Sequence, residues 1–402
     1  MYFFYYVPVG VDVSTKRFPV MTVFFALVCT VIFALVRYFP DTTAFDPYGL
    51  IFYPGYSGWF TAVGAAFLHF GWVHLIGNLV YLLLFGGYLE DRLGIFLYTA
   101  LFVGSAVVGN VAQGFYNTNA LHIDTGIIGA SGAVSGILGA FLVRLYGTRV
   151  RIAYWVFLPL HGYTRAGRVY LPVVFAVAIW VLLQVSRGLI QLEGASASVA
   201  YMTHIAGFAF GVVFTSLTGG WKRGREEAHL IRASRYVREG EYFGARDEFS
   251  SYLHYQPEDG EVHAQLARVQ VQSDDELGAR ASYLMACELL LRCGQRGRAE
   301  AVYREAVRGF ANFTLSPDPH LDMSFGLERN LKLEVAISAY ENFVRQNPTH
   351  SEAPFALLRA ANLHIKLYGA SDKALACYRQ LISQYPEDAW VDYAREQVRV
   401  HG

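Results

Sequence analysis

Residues 126–141 read GIIGASGAVSGILGAF, and this stretch decides how the first half of the chain folds. It is apolar enough to lie inside a membrane, yet it contains five glycines and two serines, Ser131 and Ser135. Glycine and serine at four-residue spacing are typical of close helix packing in membranes, because small residues let two backbones approach each other. We therefore predict a membrane helix packed tightly against a second helix, and we ask whether either serine also reacts.

Charge is distributed unevenly along the 402 residues, although the net charge is zero. Residues 1–220 hold ten basic residues (Lys and Arg) and seven acidic ones (Asp and Glu). Residues 221–402 hold twenty-three basic and twenty-six acidic residues. This division predicts a membrane domain followed by a water-soluble domain, each long enough to bury its own core. The four cysteines form no paired framework, which fits a reducing compartment for the soluble half. No block of basic residues indicates nucleic acid binding.

Six apolar segments in the first half have about the 20 residues that a helix needs to cross a bilayer. They lie near residues 19–39, 68–88, 94–115, 127–146, 169–189 and 199–218. Lys and Arg are concentrated before the first segment, between the fourth and fifth, and after the sixth. By the positive-inside rule these parts, and both termini, lie in the cytoplasm. We expect residues 1–18 to be a retained cytoplasmic leader and not a cleaved signal peptide.

Three of these segments contain polar side chains, which cost free energy in a membrane and need an explanation. The second contains His69, His74 and Asn78, the fourth Ser131, and the sixth His204. Each feature alone has a purely structural explanation. A single membrane histidine is as often a hydrogen-bonded packing residue as a reactive one. The i,i+4 pair His74 and Asn78 could join two helices.

Glycines in the fourth and sixth segments favour a chemical explanation instead. Each set follows one helix face: Gly132, Gly136 and Gly139 in the fourth segment, and Gly207 and Gly211 in the sixth. If these faces meet, Ser131 and His204 lie near each other at the outer ends of their helices. A serine hydroxyl is a weak nucleophile until a base takes its proton, and a histidine kept neutral by burial can do so. The Ser131 backbone N–H, with His74 and Asn78, would then stabilise the oxyanion formed on attack.

The remaining groups of these segments favour neither a triad nor a metal. No carboxylate lies in them to orient His204, so a dyad is the better fit. The stretch HFGWVH at residues 69–74 lacks the glutamate of the HExxH zinc motif, so we expect no metal and no cofactor. Ser135, one turn after Ser131, is predicted to pack or to bond the backbone.

Together these residues resemble the rhomboid family of intramembrane serine proteases. The matching motifs are GASG at 129–132, HIAG at 204–207 followed by Gly211, and the pattern HxxxxHxxxN formed by His69, His74 and Asn78. The resemblance covers residues 19–219.

The resemblance implies a six-helix bundle with Ser131 as nucleophile and His204 as general base. His74, Asn78 and the Ser131 amide would form the oxyanion hole, and His69 would be a supporting polar residue, with Gly129 preceding the nucleophile. The site would open to the extracytoplasmic side. A substrate helix must unwind locally before it can be cut, so small or helix-breaking residues near the outer membrane face are expected in substrates.

The resemblance also has one departure that concerns the histidine. Some members carry an aromatic residue one turn after the nucleophile, stacked on the histidine, and that place is Ser135 here. We therefore expect other packing to hold His204.

The second half predicts a soluble helical repeat domain. A small residue followed four positions later by an aromatic recurs in AISAYENFVRQNP (336–348), ALACYRQLISQYP (374–386), ARDEFSSYLHYQP (245–257) and AEAVYREAVRGFA (299–311). This is similar to tetratricopeptide (TPR) repeats, in which the small residue lets one helix pack on the next and the aromatic fills the gap. An unrelated helical bundle is the alternative. Such solenoids bind peptides or proteins, so we expect an unidentified cytoplasmic partner.

The sequence thus predicts an all-α protein of a bacterial inner or cell membrane. Its parts are a leader (1–18), a six-span rhomboid-like domain (19–219), a linker (220–230) and a TPR-like domain (231–400). The favoured function is a serine endopeptidase that cleaves transmembrane proteins. The alternative is a non-catalytic rhomboid-like scaffold that binds membrane helices and passes them to a partner on the repeats. The joint presence of nucleophile, base and donors favours the enzyme.

Overall fold

The computed structural model describes residues 3–39, 46–158, 163–192, 200–310 and 312–402. The protein is mostly helical, at 73%, which confirms the predicted fold class. It divides into two compact units, Met1–Ile231 and Arg232–Gly402.

Helices of the first unit follow the order of the apolar segments. They are α1 (Val20–Tyr38), α2 (Trp59–Gly64), α3 (Trp72–Tyr81), α4 (Gly87–Leu93), α5 (Ile95–Tyr116), α6 (Ser131–Arg144), α7 (Val173–Leu192) and α8 (Tyr201–Leu217). A π-helical turn, Leu82–Gly86, joins α3 to α4 without a break. The core between these helices is built from apolar and aromatic side chains, among them the stacked rings of Phe25 and Phe102.

Three helices of the described residues are each long and apolar enough to cross a membrane: Val20–Tyr38, Trp72–Leu93 and Ile95–Leu121. A fourth span results if α8 is counted together with α9 (Gly220–Glu239), which bends away from it by 84°. The segment 220–230, predicted as a linker, is the first half of α9.

Helix α6 is shorter than the predicted segment 127–146. Its 14 residues at 1.5 Å each span about 21 Å, whereas the apolar core of a bilayer is about 30 Å thick. A helix this short that ends at one membrane surface begins below the other surface. Its first residue, Ser131, can therefore lie within the apolar layer.

A three-stranded antiparallel sheet in the first unit was not predicted. Its strands, in sheet order, are β1 (Phe3–Val11), β2 (Arg149–Leu158) and β3 (Tyr163–Pro172). The arginines of β2, expected in a cytoplasmic loop, alternate with apolar residues, which is the period of a strand. β1 occupies the predicted leader, of which residues 1 and 2 lie outside the described residues. β3 takes the first residues of the predicted span 169–189.

Glu90 holds the start of α1 against α4. Its carboxylate accepts hydrogen bonds from the backbone N–H groups of Met21 and Thr22, at 2.9 and 2.8 Å, and from the Thr22 hydroxyl at 2.8 Å. The first N–H groups of a helix have no partner within it, and its positive end favours an anion. This explains why a carboxylate that is only 4% exposed is stable here.

The second unit is a succession of helices in which each packs against the next. They are α10 (Tyr242–Tyr255), α11 (Gly260–Gln272), α12 (Glu276–Arg292), α13 (Arg296–Gly309), α14 (Pro317–Arg329), α15 (Leu333–Gln346), α16 (Ala353–Tyr368), α17 (Asp372–Gln384) and α18 (Val391–His401). The repeated small and aromatic residues lie in its core, as predicted. Ala336 and Ala374 are fully buried, and Tyr340 and Tyr378 are at most 1% exposed.

Candidate active site

The two glycine faces predicted from the sequence meet in the structure. A methyl group on Gly207 would overlap the carbonyl oxygen of Gly132, and one on Gly211 would overlap the carbonyl oxygen of Gly136. Only glycine permits such an approach of two backbones. Because both pairs advance in the same direction along the chain, α6 and α8 are parallel. Their N-termini therefore lie at the same end of the packed pair.

Ser131 and His204 occupy this common end and line one cavity of about 1040 Å³. Ser131 is the first residue of α6, and His204 lies in the first turn of α8. The first N–H groups of α6 have no partner within the helix and carry partial positive charge. A serine hydroxyl and an imidazole thus line the same space at the start of α6 and α8.

His74 and Asn78 line the same cavity from α3, one helical turn apart. Asn78 is 8% exposed, and its Nδ2 has no hydrogen-bond partner among the described residues. A buried amide donor without a partner costs free energy. On the cavity wall, this donor is available to a group that enters the cavity.

His69 lies beside His74, with the two rings edge to face and their centroids 5.0 Å apart. It is 8% exposed and, in the part of the chain that the structure describes, it is not on the cavity wall. The structure therefore places it behind His74.

Gly129 sets the path of the chain into Ser131. Its φ of +121° is a conformation that residues with a Cβ rarely adopt. Its N–H donates to the carbonyl oxygen of Ala65 at 2.8 Å, and a Cβ at this position would lie 2.7 Å from the His74 ring. Gly129 thus fits between the ring of His74 and the start of α6.

Replacing Gly129 with alanine is expected to lower the free energy of unfolding by about 2–3 kcal/mol, from backbone strain and the overlap with His74. The measurement is thermal unfolding of the detergent-solubilised protein. Gly77→Ala is the matched control, because Gly77 is helical and a Cβ there meets nothing within 4 Å. Equal stability of the two variants would show that Gly129 is not constrained as described.

Two glutamines that the sequence analysis did not select hold the helix and ring of His204. Gln113 Oε1 accepts from the N–H groups of Met202 and Thr203, at 2.9 and 3.2 Å, and so caps the start of α8. Gln184 Oε1 on α7 lies 2.8 Å from His204 Nδ1. Both residues are amides within apolar helices, and the cost of burying such groups is the signal that could have identified them.

Ser135 bonds the backbone, as predicted. Its hydroxyl donates to the carbonyl oxygen of Ser131 at 2.6 Å. Two rings instead lie near His204: those of Trp180 and Tyr201, with centroids at 6.4 and 6.3 Å. Among the described residues, aromatic packing of the histidine therefore comes from α7 and α8, and Ser135 supplies no ring.

Comparison with known proteins places this site in a recognised domain. Residues 56–221, which contain α2 to α8, match the family model of the Rhomboid domain. A protein of Bacillus subtilis (strain 168) named "Putative rhomboid protease YdcA" is 36% identical over 84 residues. That alignment covers 21% of this chain and 40% of the relative, so the chain spans less than half of the relative's length.

Two solved structures are similar to the repeats. One is a thermophilic TPR protein of Thermus thermophilus, with 20% identity, 44% of this chain and 99% of that chain covered, and a TM-score of 0.20. The other is YrrB, described as a TPR protein with an unusual peptide-binding site, with 16% identity, 45% and 98% coverage, and a TM-score of 0.22.

The match to the Rhomboid family model covers the part of the chain that forms the cavity. It includes every residue named on the cavity wall, from His74 on α3 to His204 on α8. The resemblance predicted from the sequence is therefore confirmed: residues 56–221 of this integral membrane protein are similar to the Rhomboid domain.

Proposed function

We propose that the protein is an intramembrane serine endopeptidase in which Ser131 is the nucleophile and His204 the general base. The observation that supports this most directly is the shared cavity. A serine at a helix N-terminus, a histidine on the glycine-packed neighbouring helix and an unpartnered buried amide, Asn78, all line it. A scaffold would have no need of this combination.

The chemistry follows from these groups. His204 takes the proton of the Ser131 hydroxyl while the oxygen attacks the carbonyl carbon of the scissile bond. The oxyanion of the tetrahedral intermediate is stabilised by the Ser131 N–H and by the His74 and Asn78 side chains. His204 then protonates the leaving amine, and the acyl-enzyme remains. In the second half the same histidine takes a proton from water, which hydrolyses the ester and releases Ser131.

The substrate is a transmembrane segment cut within the apolar layer. Helix α6 is too short to cross a bilayer, so its first residue lies below a membrane surface when its other end reaches the opposite one. The cavity wall includes the exposed apolar side chains of Phe70, Trp72 and Val73, which suit a substrate chain in a lipid environment. From the distribution of Lys and Arg, we place the site on the extracytoplasmic side and the termini in the cytoplasm.

The second unit, in this proposal, binds a cytoplasmic protein or peptide. Its support is the stacking of helix pairs through buried small and aromatic residues, the architecture that presents an extended binding surface in solenoids.

The function is tested with the purified full-length chain in liposomes that contain a single-span model substrate. Mass spectrometry of the products identifies the bonds that are cut. We expect cleavage at a bond within the span by the wild type and none by Ser131→Ala. Cleavage by Ser131→Ala at the wild-type rate would overturn the assigned nucleophile. A wild type that crosslinks to substrate helices but cuts none of several would support the scaffold function instead.

Loss of the Asn78 amide is expected to lower kcat about 100-fold with little change in KM, because the donor acts on the oxyanion and not on the ground state. Asn78→Ala is also expected to leave stability unchanged, since Nδ2 has no partner in the described chain to lose. Steady-state cleavage and thermal unfolding measure both effects.

The matched control is Asn110→Ala on α5. Asn110 is also buried, at 1% exposed, but its Nδ2 donates to the carbonyl oxygen of Ala62 at 2.8 Å. This variant should lose stability and keep the kcat of the molecules that stay folded. The opposite pattern for the two asparagines would show that Asn78 is structural.

A further inference from the structure

His204 makes one polar contact that neither the mechanism nor the family match assigns. Its Nδ1 lies 2.8 Å from the Oε1 of Gln184. Gln184 is on α7, one helical turn after Trp180, whose ring also faces His204 at 6.4 Å between centroids. Two side chains of one helix therefore approach the same imidazole.

This contact favours one of the two neutral tautomers of the imidazole. A carbonyl oxygen accepts hydrogen bonds and cannot donate them, so the hydrogen must lie on Nδ1. A neutral imidazole has a single N–H, and Nε2 is then left with a free lone pair. Nε2 is the nitrogen that has to accept the proton of Ser131 if His204 acts as the base.

We propose that Gln184 is a positioning residue that fixes the tautomer and the ring orientation of His204. This inference rests on the proposed function, because it concerns the same base. Gln184 touches neither the nucleophile nor the substrate in this scheme and acts only through the histidine. Gln184 restrains the His204 ring, as a stacked aromatic residue at position 135 would. Ser135 does not restrain the ring in this way, because its hydroxyl bonds the backbone.

A neutral amide is suited to this place. A carboxylate in the membrane would carry a large desolvation cost, which an amide avoids while still presenting an acceptor oxygen. The amide stabilises the imidazolium less than a charged partner would, because hydrogen bonds to ionised groups are about twice as strong. We therefore expect an effect below that of a triad aspartate, about 10-fold in kcat, as for other partners that orient a functional histidine.

The key variant is Gln184→Met, which keeps the length and approximate volume of the side chain but has no acceptor oxygen. We expect kcat to fall about 10-fold with KM within about 2-fold of the wild type. Gln184→Glu restores the acceptor oxygen and should recover activity relative to Gln184→Met. Ser186→Ala on the same helix is the matched control, because the Ser186 hydroxyl donates to the carbonyl oxygen of Leu183 within α7 and has no other hydrogen-bond partner among the described residues. It should cleave at the wild-type rate.

A second readout does not require activity. Nitrogen NMR of the protein with ring-labelled histidine, with His204 assigned by its loss in His204→Ala, reports which nitrogen is protonated. We expect Nδ1–H in the wild type and an increase of the Nε2–H form in Gln184→Met. An Nε2–H wild type would overturn the proposal, as would a Met variant with the wild-type tautomer and kcat.

The two readouts separate this inference from the proposed function. If the wild type cuts no substrate but the tautomer still changes in Gln184→Met, the proposed endopeptidase function is wrong. The proposed role of Gln184 in fixing the His204 tautomer is then still supported. If the wild type is active and Gln184→Met changes neither kcat nor the His204 tautomer, the endopeptidase function is supported and the proposed role of Gln184 is wrong. Thermal unfolding of each variant confirms that the comparison is made on folded protein.

Discussion

Replacing Ser131 or His204 with alanine is expected to lower kcat/KM by about 10⁴-fold or more, and the double variant should be no slower than either single one. In the proposed dyad the two side chains act as a unit, since the hydroxyl is a weak nucleophile without the base and the base has nothing to activate without the hydroxyl. The residual rate comes from the oxyanion donors, which remain in all three variants. The measurement is the initial rate of cleavage in liposomes per mole of folded enzyme.

Ser135→Ala is the matched control for the nucleophile. Ser135 is the same residue type one turn further along α6 and lines the same cavity, but its hydroxyl is engaged with the carbonyl oxygen of Ser131. Its loss should change the rate by less than about 10-fold, the effect of one neutral hydrogen bond. Losses in Ser131→Ala and His204→Ala that multiply in the double variant would contradict a dyad.

Gly211→Ala is expected to have the largest effect on stability, a loss of about 4 kcal/mol or more in the free energy of unfolding. An added methyl group would overlap the carbonyl oxygen of Gly136 and lie close to its carbonyl carbon and Cα. These are backbone atoms of a packed helix, so they cannot turn aside as a flexible side chain can. Helices α6 and α8 must separate, and activity should be lost with the fold.

Unfolding in detergent by heat or denaturant measures this effect. Gly77→Ala serves again as the control, since it adds the same methyl group to a helical glycine with open space around it. A Gly211→Ala protein as stable as the wild type would show that the two backbones are not in contact as described. The two main predictions are thus separable, because the dyad variants should be folded and inactive.

The sequence by itself determined the features that depend on local pattern. Helix order follows from runs of apolar residues, and the packing of α6 on α8 follows from glycines such as Gly136 and Gly211 at four-residue spacing. The core of the repeats follows from small and aromatic residues such as Ala336 and Tyr340. Ser131, His204 and Asn78 could be selected as candidates because polar groups in apolar segments are costly and few. Periodicity and composition are properties of the chain, so no tertiary structure is needed to read them.

Only the tertiary structure decided the contacts between distant segments. Gln184 on α7 contacts His204 on α8, although their positions in the chain differ by 20 residues. β1 pairs with β2, although four apolar helical segments lie between the two strands in the sequence. The conformation of Gly129 depends on His74, which must fit against it. Hydrogen bonds and close contacts of this kind are set by the relative orientation of whole helices and strands, and no local pattern in the chain records that orientation.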